Sequence, residues 1–150
     1  MHESMAQAKR TNRVDLKNYA IKLSNRVEQS LRKENKKIQI KVNAGEDITL
    51  NMDRAIPFAL IMNELVMNAC IYAFDPGDNG LIAIEVYRNG EEVFLKVTDN
   101  GKGLPEDFEK KAATGIGMRI IRAFGKQLGA ALEYSSTDTT SFKLSIPLQN

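Results

Sequence analysis

Apolar residues recur along this chain at spacings that switch between three to four and two, so helices and strands can be read directly from the pattern. The stretch 53–74, DRAIPFALIMNELVMNACIYAF, carries Ile61, Leu65, Val66, Ala69 and Ala73 at helical spacing. Asp53 is suited to cap that helix and Pro57 is tolerable in its first turns. Upstream, MHESMAQAK reads as a helix, Thr11-Asn12-Arg13 interrupts it, and a second helix opens at Val14-Asp15. Its apolar stripe is Leu16, Tyr19, Ala20, Leu23, Val27 and Leu31. After a charged break at 34–37, the alternating runs Ile38, Ile40, Val42 and Ile48, Leu50, Met52 flank Asn43-Ala44-Gly45 and predict an edge hairpin. A second hairpin is predicted where Ile82, Ile84, Val86 and Val93, Leu95, Val97 flank Arg88-Asn89-Gly90. The segment from Glu106 to Thr114 reads as mobile. Gly115-Ile116-Gly117-Met118 then opens a helix through Ile120, Ile121, Phe124 and Leu128, which Gly129 ends. Strands at 131–134 and 141–148 close the chain, with Pro147 near an edge.

The helix at 53–74 is apolar enough to be buried, yet Asn63, Glu64 and Asn68 interrupt it. Such groups are costly to desolvate without partners. Glu64 and Asn68, four residues apart, share one face, with Tyr72 a turn further on. A lone polar pair on a helix most often points into water at the core margin. The sharper reading is a cleft holding a hydrated cation and phosphates, in which Asn68 offers Mg²⁺ a neutral oxygen and Glu64 orients or deprotonates a water. Magnesium takes only one or two protein oxygens when phosphates supply the rest.

Two further stretches bear on that choice. Thr98-Asp99-Asn100-Gly101-Lys102-Gly103-Leu104-Pro105 follows a strand, and its glycines let the backbone turn sharply and approach a ligand. Asp99 at the strand end is placed to accept a hydrogen bond across a cleft, although DxGxG alone also describes a plain turn. Gly115 and Gly117 at a helix start make a ready phosphate site, because unpaired amides and the positive dipole end face outward.

Composition narrows the classes. The 150 residues suit one domain, with 43% hydrophobic and 27% charged residues as in ordinary globular proteins. A formal charge of +2 is too balanced to imply nucleic acid as a partner. A lone cysteine, Cys70, allows no internal disulfide and fits a reducing, cytoplasmic setting. No signal peptide pattern is present, and the longest uninterrupted apolar run, 55–62, is too short to cross a bilayer. Asp75 to Gly80 faintly suggests a calcium loop, but Val86 stands where its twelfth-position glutamate belongs. No GxxxxGK[ST] occurs.

In order, Asn-Glu-Leu-Val-Met-Asn-Ala, a hairpin, Asp-Asn-Gly-Lys-Gly, a short lid, Gly-Ile-Gly-Met-Arg and a closing Thr-Thr-Ser-Phe strand resemble the Bergerat ATP-binding fold of the GHKL superfamily. Within it the chain looks most like the ATP-binding domain of sensor histidine kinases, in the soluble-sensor subfamily with a short lid. The resemblance implies an α+β fold, a two-layer sandwich of a mixed, mostly antiparallel sheet against helices, with an extra N-terminal helical segment. It implies that 1–13 is the remnant of a dimerisation helix or linker and 14–150 the ATPase domain. By motif position Asn68 would coordinate Mg²⁺, Glu64 would hold or activate a water, and Asp99 would receive the adenine amino group. Gly101 and Gly103 would hinge the lid, Gly115 and Gly117 would bring amides to the phosphates, and Thr140 would lie beside adenine. Asn63, Tyr72, Lys102, Met118 and Arg119 complete the expected ATP-binding set.

This sequence departs from the family pattern in having Ile71 where a basic residue is usual, Tyr72 where His or Tyr is common, and Thr139 where glycine often precedes the threonine. One phosphate contact would then be either absent or supplied by Lys102 or Arg119. The resemblance also implies partners: ATP, the protein's own dimerisation and phosphoacceptor domain, a response regulator receiver domain, and a full-length homodimer. His2 is followed by Glu3, as in many acceptor boxes, but its distance from the domain fits a non-acceptor His-Glu pair, so the acceptor is expected upstream. An anti-sigma-type serine kinase and a non-catalytic nucleotide-binding module are the alternative readings.

Overall fold

The computed structural model describes residues 12–148; the helix expected at 1–9, His2 and all but the last two residues of the expected 1–13 remnant lie outside these residues. The chain runs β1 (Arg13–Asp15), α1 (Leu16–Lys33), β2 (Lys37–Ala44), β3 (Thr49–Asn51), α2 (Met52–Tyr72), β4 (Asn79–Asn89) and β5 (Glu92–Asp99). It continues through α3 (Phe108–Thr114), α4 (Ile116–Leu128), β6 (Ala131–Ser136) and β7 (Thr140–Pro147). The main sheet has the order β2-β4-β5-β7-β6, with β2 parallel to β4 and the other neighbours antiparallel. Along β5 and β7 burial alternates strictly, so one face of the sheet lies under the helices and the other meets solvent. This is the α+β two-layer arrangement expected.

Local chemistry sets the helix ends. Asp15 closes the short strand β1 and caps α1, its side chain accepting from the Asn18 amide at 3.2 Å. Leu16, Ala20, Leu23, Val27 and Leu31 then bury one stripe. Asn51 rather than Asp53 caps α2, accepting from the Arg54 amide at 3.1 Å, and Asp53 sits exposed in the first turn, where its charge favours the helix dipole. Pro57 falls in the second turn. Phe58, Ile61, Met62, Leu65 and Val66 are almost wholly buried and together contribute on the order of 10 kcal/mol, as an upper bound from area.

Read by length and composition alone, α2 could cross a membrane, because Asn63, Glu64 and Asn68 interrupt but do not end the apolar sequence. Half of its most apolar window is nevertheless packed inside the protein, as in a core helix.

The expected edge hairpin of β2 and β3 does not form. β2 pairs in parallel with β4, from Lys37 opposite Asn79 to Ala44 opposite Val86. The chain then turns away, and β3 pairs antiparallel with β1, Arg13 opposite Asn51. Both strands alternate as predicted, but alternation specifies a half-buried strand without naming its partner. The 88–90 turn does join β4 and β5, with Gly90 at φ +63°. Pro147 is not at an edge: β7 lies between β5 and β6, and Pro147 is tolerated as its last residue. Its carbonyl and that of Leu128 accept from Nη2 of the buried Arg54, at 2.6 and 3.3 Å, tying the starts of α2 to the ends of α4 and β7. Part of the 106–114 segment, read from the sequence as mobile, is the short helix α3, whose Phe108 ring packs edge-on against Tyr134 and Phe142.

Candidate functional site

A cleft of about 190 Å³ opens between the second half of α2, the end of β5, the 103–111 stretch and the start of α4, with β7 behind it. From α2 come Asn68 and, a turn on, the exposed ring of Tyr72. From the sheet come Asp99 and Thr140, which are opposite one another in the β5–β7 register and only 5% and 4% exposed. Gly115, Gly117 and Met118 bring the first turn of α4 to the cleft, and Gly103 lies at its rim.

Each group is held by something specific. Asp99 accepts from the Gly101 amide at 3.0 Å, which closes the turn after β5. Burial pushes its carboxyl above the usual aspartate range, and the Gly101 hydrogen bond pulls it partly back. Gly101 packs on the end of α2 so closely that a Cβ there would stand 2.3 Å from the Ala73 carbonyl oxygen, and the Lys102 amide donates to that same oxygen at 3.1 Å. Gly103 has φ +85°, a left-handed conformation that favours glycine. Thr140 Oγ1 lies 3.2 Å from Ser136 Oγ.

Gly117 faces the polar side of α2. A Cβ on it would stand 3.0 Å from Glu64 Oε2 and 3.4 Å from Asn68 Oδ1. The missing side chain therefore lets the helix start, whose first amides have no intrahelical acceptors, approach a carboxylate and an amide oxygen closely. Glu64 and Asn68 are half-buried and turned toward α4, not toward open water.

Other predicted residues lie elsewhere. Asn63 is half-buried on α2 but does not line the cleft, and neither does Gly101. Lys102 is exposed and pairs with Asp75 at 3.1 Å. Arg119 is exposed on α4, off the cleft wall, and Ile71 is 55% exposed, also off it. The basic residue that does line the cleft is Lys111 of α3, which also sits 3.6 Å from Asp107. Sequence reasoning missed it, together with the apolar walls Leu104, Phe108 and Phe142. The i, i+4 pair Asp107 and Lys111 was the signal of a helix turn there. Among the described residues no cluster of three or more His, Cys, Asp or Glu could hold a metal by itself.

Residues 53–150 match the family model described as Histidine kinase-, DNA gyrase B-, and HSP90-like ATPase. Blue-light-activated histidine kinase 2 of Erythrobacter litoralis is 31% identical over 112 residues, covering 73% of this chain and 32% of that protein. Sensor histidine kinase PdtaS of Mycobacterium tuberculosis is 34% identical over 85 residues, covering 55% of this chain and 17% of that protein. The chain thus spans about a third or less of the curated relatives it matches. The solved histidine kinase domain of the Erythrobacter litoralis EL346 blue-light-activated kinase superposes with a TM-score of 0.74 at 25% identity, covering 87% of this chain and 61% of that one.

Proposed function

We propose that this chain, which belongs to the family of histidine kinase-, DNA gyrase B- and HSP90-like ATPases, is the ATP-binding catalytic domain of a two-component sensor histidine kinase. In that role it transfers the γ-phosphoryl of Mg-ATP to a histidine on an upstream dimerisation helix. The observation that carries this reading is the convergence of Asn68, Asp99 and the first turn of α4 on one cleft, with Glu64 beside Gly117.

Asp99 at the closed end accepts the adenine amino group, with Thr140 beside it on the neighbouring strand. The orphan amides of the α4 first turn and the Lys111 ammonium receive phosphate oxygens, the dipole adding to the attraction. Glu64 holds the water or acceptor group near the phosphoryl that moves. The donors present fit Mg²⁺ arriving with the nucleotide, since an amide oxygen and a carboxylate are hard ligands and both stand beside the glycine-opened start of α4. Bound there through Asn68, the ion would neutralise charge on the phosphate oxygens. Catalysis then rests on positioning and electrostatics.

The partners follow from this role: the protein's own dimerisation and phosphoacceptor domain, and a response regulator receiver domain, in a homodimeric cytoplasmic assembly. The support for a non-catalytic module is Ile71, which stands where the family pattern has a basic residue, and Ile71 lies off the cleft. Calorimetry with ATP and Mg²⁺ tests binding, with Asp99→Asn and Asn68→Asp expected to weaken it at least tenfold. Addition of a dimerisation domain from a short-lid kinase should yield acid-labile phosphate on histidine. Wild-type protein that binds no ATP, or that yields only acid-stable phosphoserine, would overturn the proposal.

A further inference from the structure

The inner face of β7 continues onto the edge strand β6, where Leu132, Tyr134 and Ser136 stand opposite Leu144, Phe142 and Thr140. Leu132 is packed against the core, but Tyr134 and Ser136 are exposed. Both nevertheless reach the stretch that roofs the cleft. Ser136 Oγ accepts from the Leu104 amide at 3.2 Å, one residue past the left-handed Gly103, and lies 3.2 Å from Thr140 Oγ1. A single hydroxyl thereby joins the hinge of the roof to the cleft wall. At the other end Tyr134 stacks edge-on against Phe108 at 5.1 Å, lies 5.6 Å from Phe142, and donates its hydroxyl to Glu109. Phe108 and Leu104, the two gripped residues, both line the cleft.

We propose that β6 is the clamp of the lid: Ser136 and Tyr134 are positioning residues that hold the two ends of the 104–109 stretch over the cleft and set how fast a bound nucleotide leaves. This rests on the cleft being the nucleotide site. Neither residue needs to touch the nucleotide; each acts through the segment it holds. The hydrophobic part of the grip comes from the Phe108, Tyr134 and Phe142 rings, and the directional part from two hydrogen bonds. Each exposed hydrogen bond has a net value that corresponds to about a two- to tenfold change in rate.

The test is the release of a fluorescent ATP analogue from the full chain, chased with excess ATP in a stopped-flow instrument. Tyr134→Phe and Ser136→Ala should each raise the dissociation rate about threefold, and Tyr134→Ala about tenfold, with association changed by less than twofold. Tyr134→Phe and Glu109→Ala should be non-additive, because each removes the same bond. A release rate unchanged in both Tyr134→Ala and Ser136→Ala overturns the clamp. Amide exchange in nucleotide-free protein provides a readout independent of binding. Exchange at Leu104 should quicken in Ser136→Ala, and across 108–111 in Tyr134→Ala, while β4 and β5 stay protected. Unchanged exchange at these sites also overturns the clamp, whereas wild-type protein that binds no analogue but shows the quickened exchange overturns the nucleotide assignment and leaves the hold of β6 on the lid standing.

Discussion

Gly117→Ala separates stability from binding in opposite directions. The backbone at 117 lies in the first turn of α4 and has no positive φ, so alanine can adopt it without strain. Replacing glycine by alanine in a helix is worth up to about 1 kcal/mol, which for a domain of this size raises the melting temperature by about 2–4 °C. Against that gain stands a 3.0 Å approach to Glu64 Oε2, the far end of a flexible side chain that can move by a few tenths of an ångström. The nucleotide-free protein should therefore melt at the same temperature or a few degrees higher. Its ATP affinity should fall. The new methyl crowds Glu64 and Asn68 and covers the amides meant for phosphate. Loss of one hydrogen bond to a charged oxygen costs about 1.5–3 kcal/mol, or roughly ten- to 150-fold in dissociation constant. Thermal melts and calorimetry on the same preparation read both quantities. An affinity within threefold of wild type, with the melting temperature preserved, would refute the assignment of phosphates to the first turn of α4.

Three other outcomes follow from the same structure. Asp99→Asn should weaken ATP binding at least tenfold yet stabilise the free protein. Because burial raises the Asp99 pKa on folding, its contribution is favourable below the unfolded value near 4 and is lost as pH rises through the folded value, so the variant's melting advantage should be larger at pH 7 than at pH 4. Equal advantages at both pH values would contradict that account. Arg54→Met removes a buried guanidinium from the carbonyls of Leu128 and Pro147 and should cost about 2–4 kcal/mol, read from urea midpoints; a loss below about 0.5 kcal/mol would show the tie to be idle. Cys70 is 2% exposed, and burial pushes its thiol up to about 11, so at pH 8 only about one molecule in a thousand carries the thiolate. Ellman's reagent should label it within minutes in denaturant and only over hours in the native protein.

What the sequence alone determined is what neighbours along the chain decide. The stripe of α1, the burial of α2, the turn at Gly90, the glycine that opens α4 and the Gly129 that closes it at φ +68° are all set within a few residues. The polar face of α2 and the glycine motifs were legible for the same reason, because a carboxylate and amides in an apolar helix demand a partner wherever the helix is placed. Only the tertiary structure decided who the partners are. β2 and β3 have equally good alternation, and pairing each with a distant strand instead of with one another depended on contacts that no local period encodes. The same holds for charge. Lys102, Arg119 and Lys111 are all basic, and it took the fold of α3 along the cleft, and Asp75 beside Lys102, to put one of them in the cleft lining and leave the others off it.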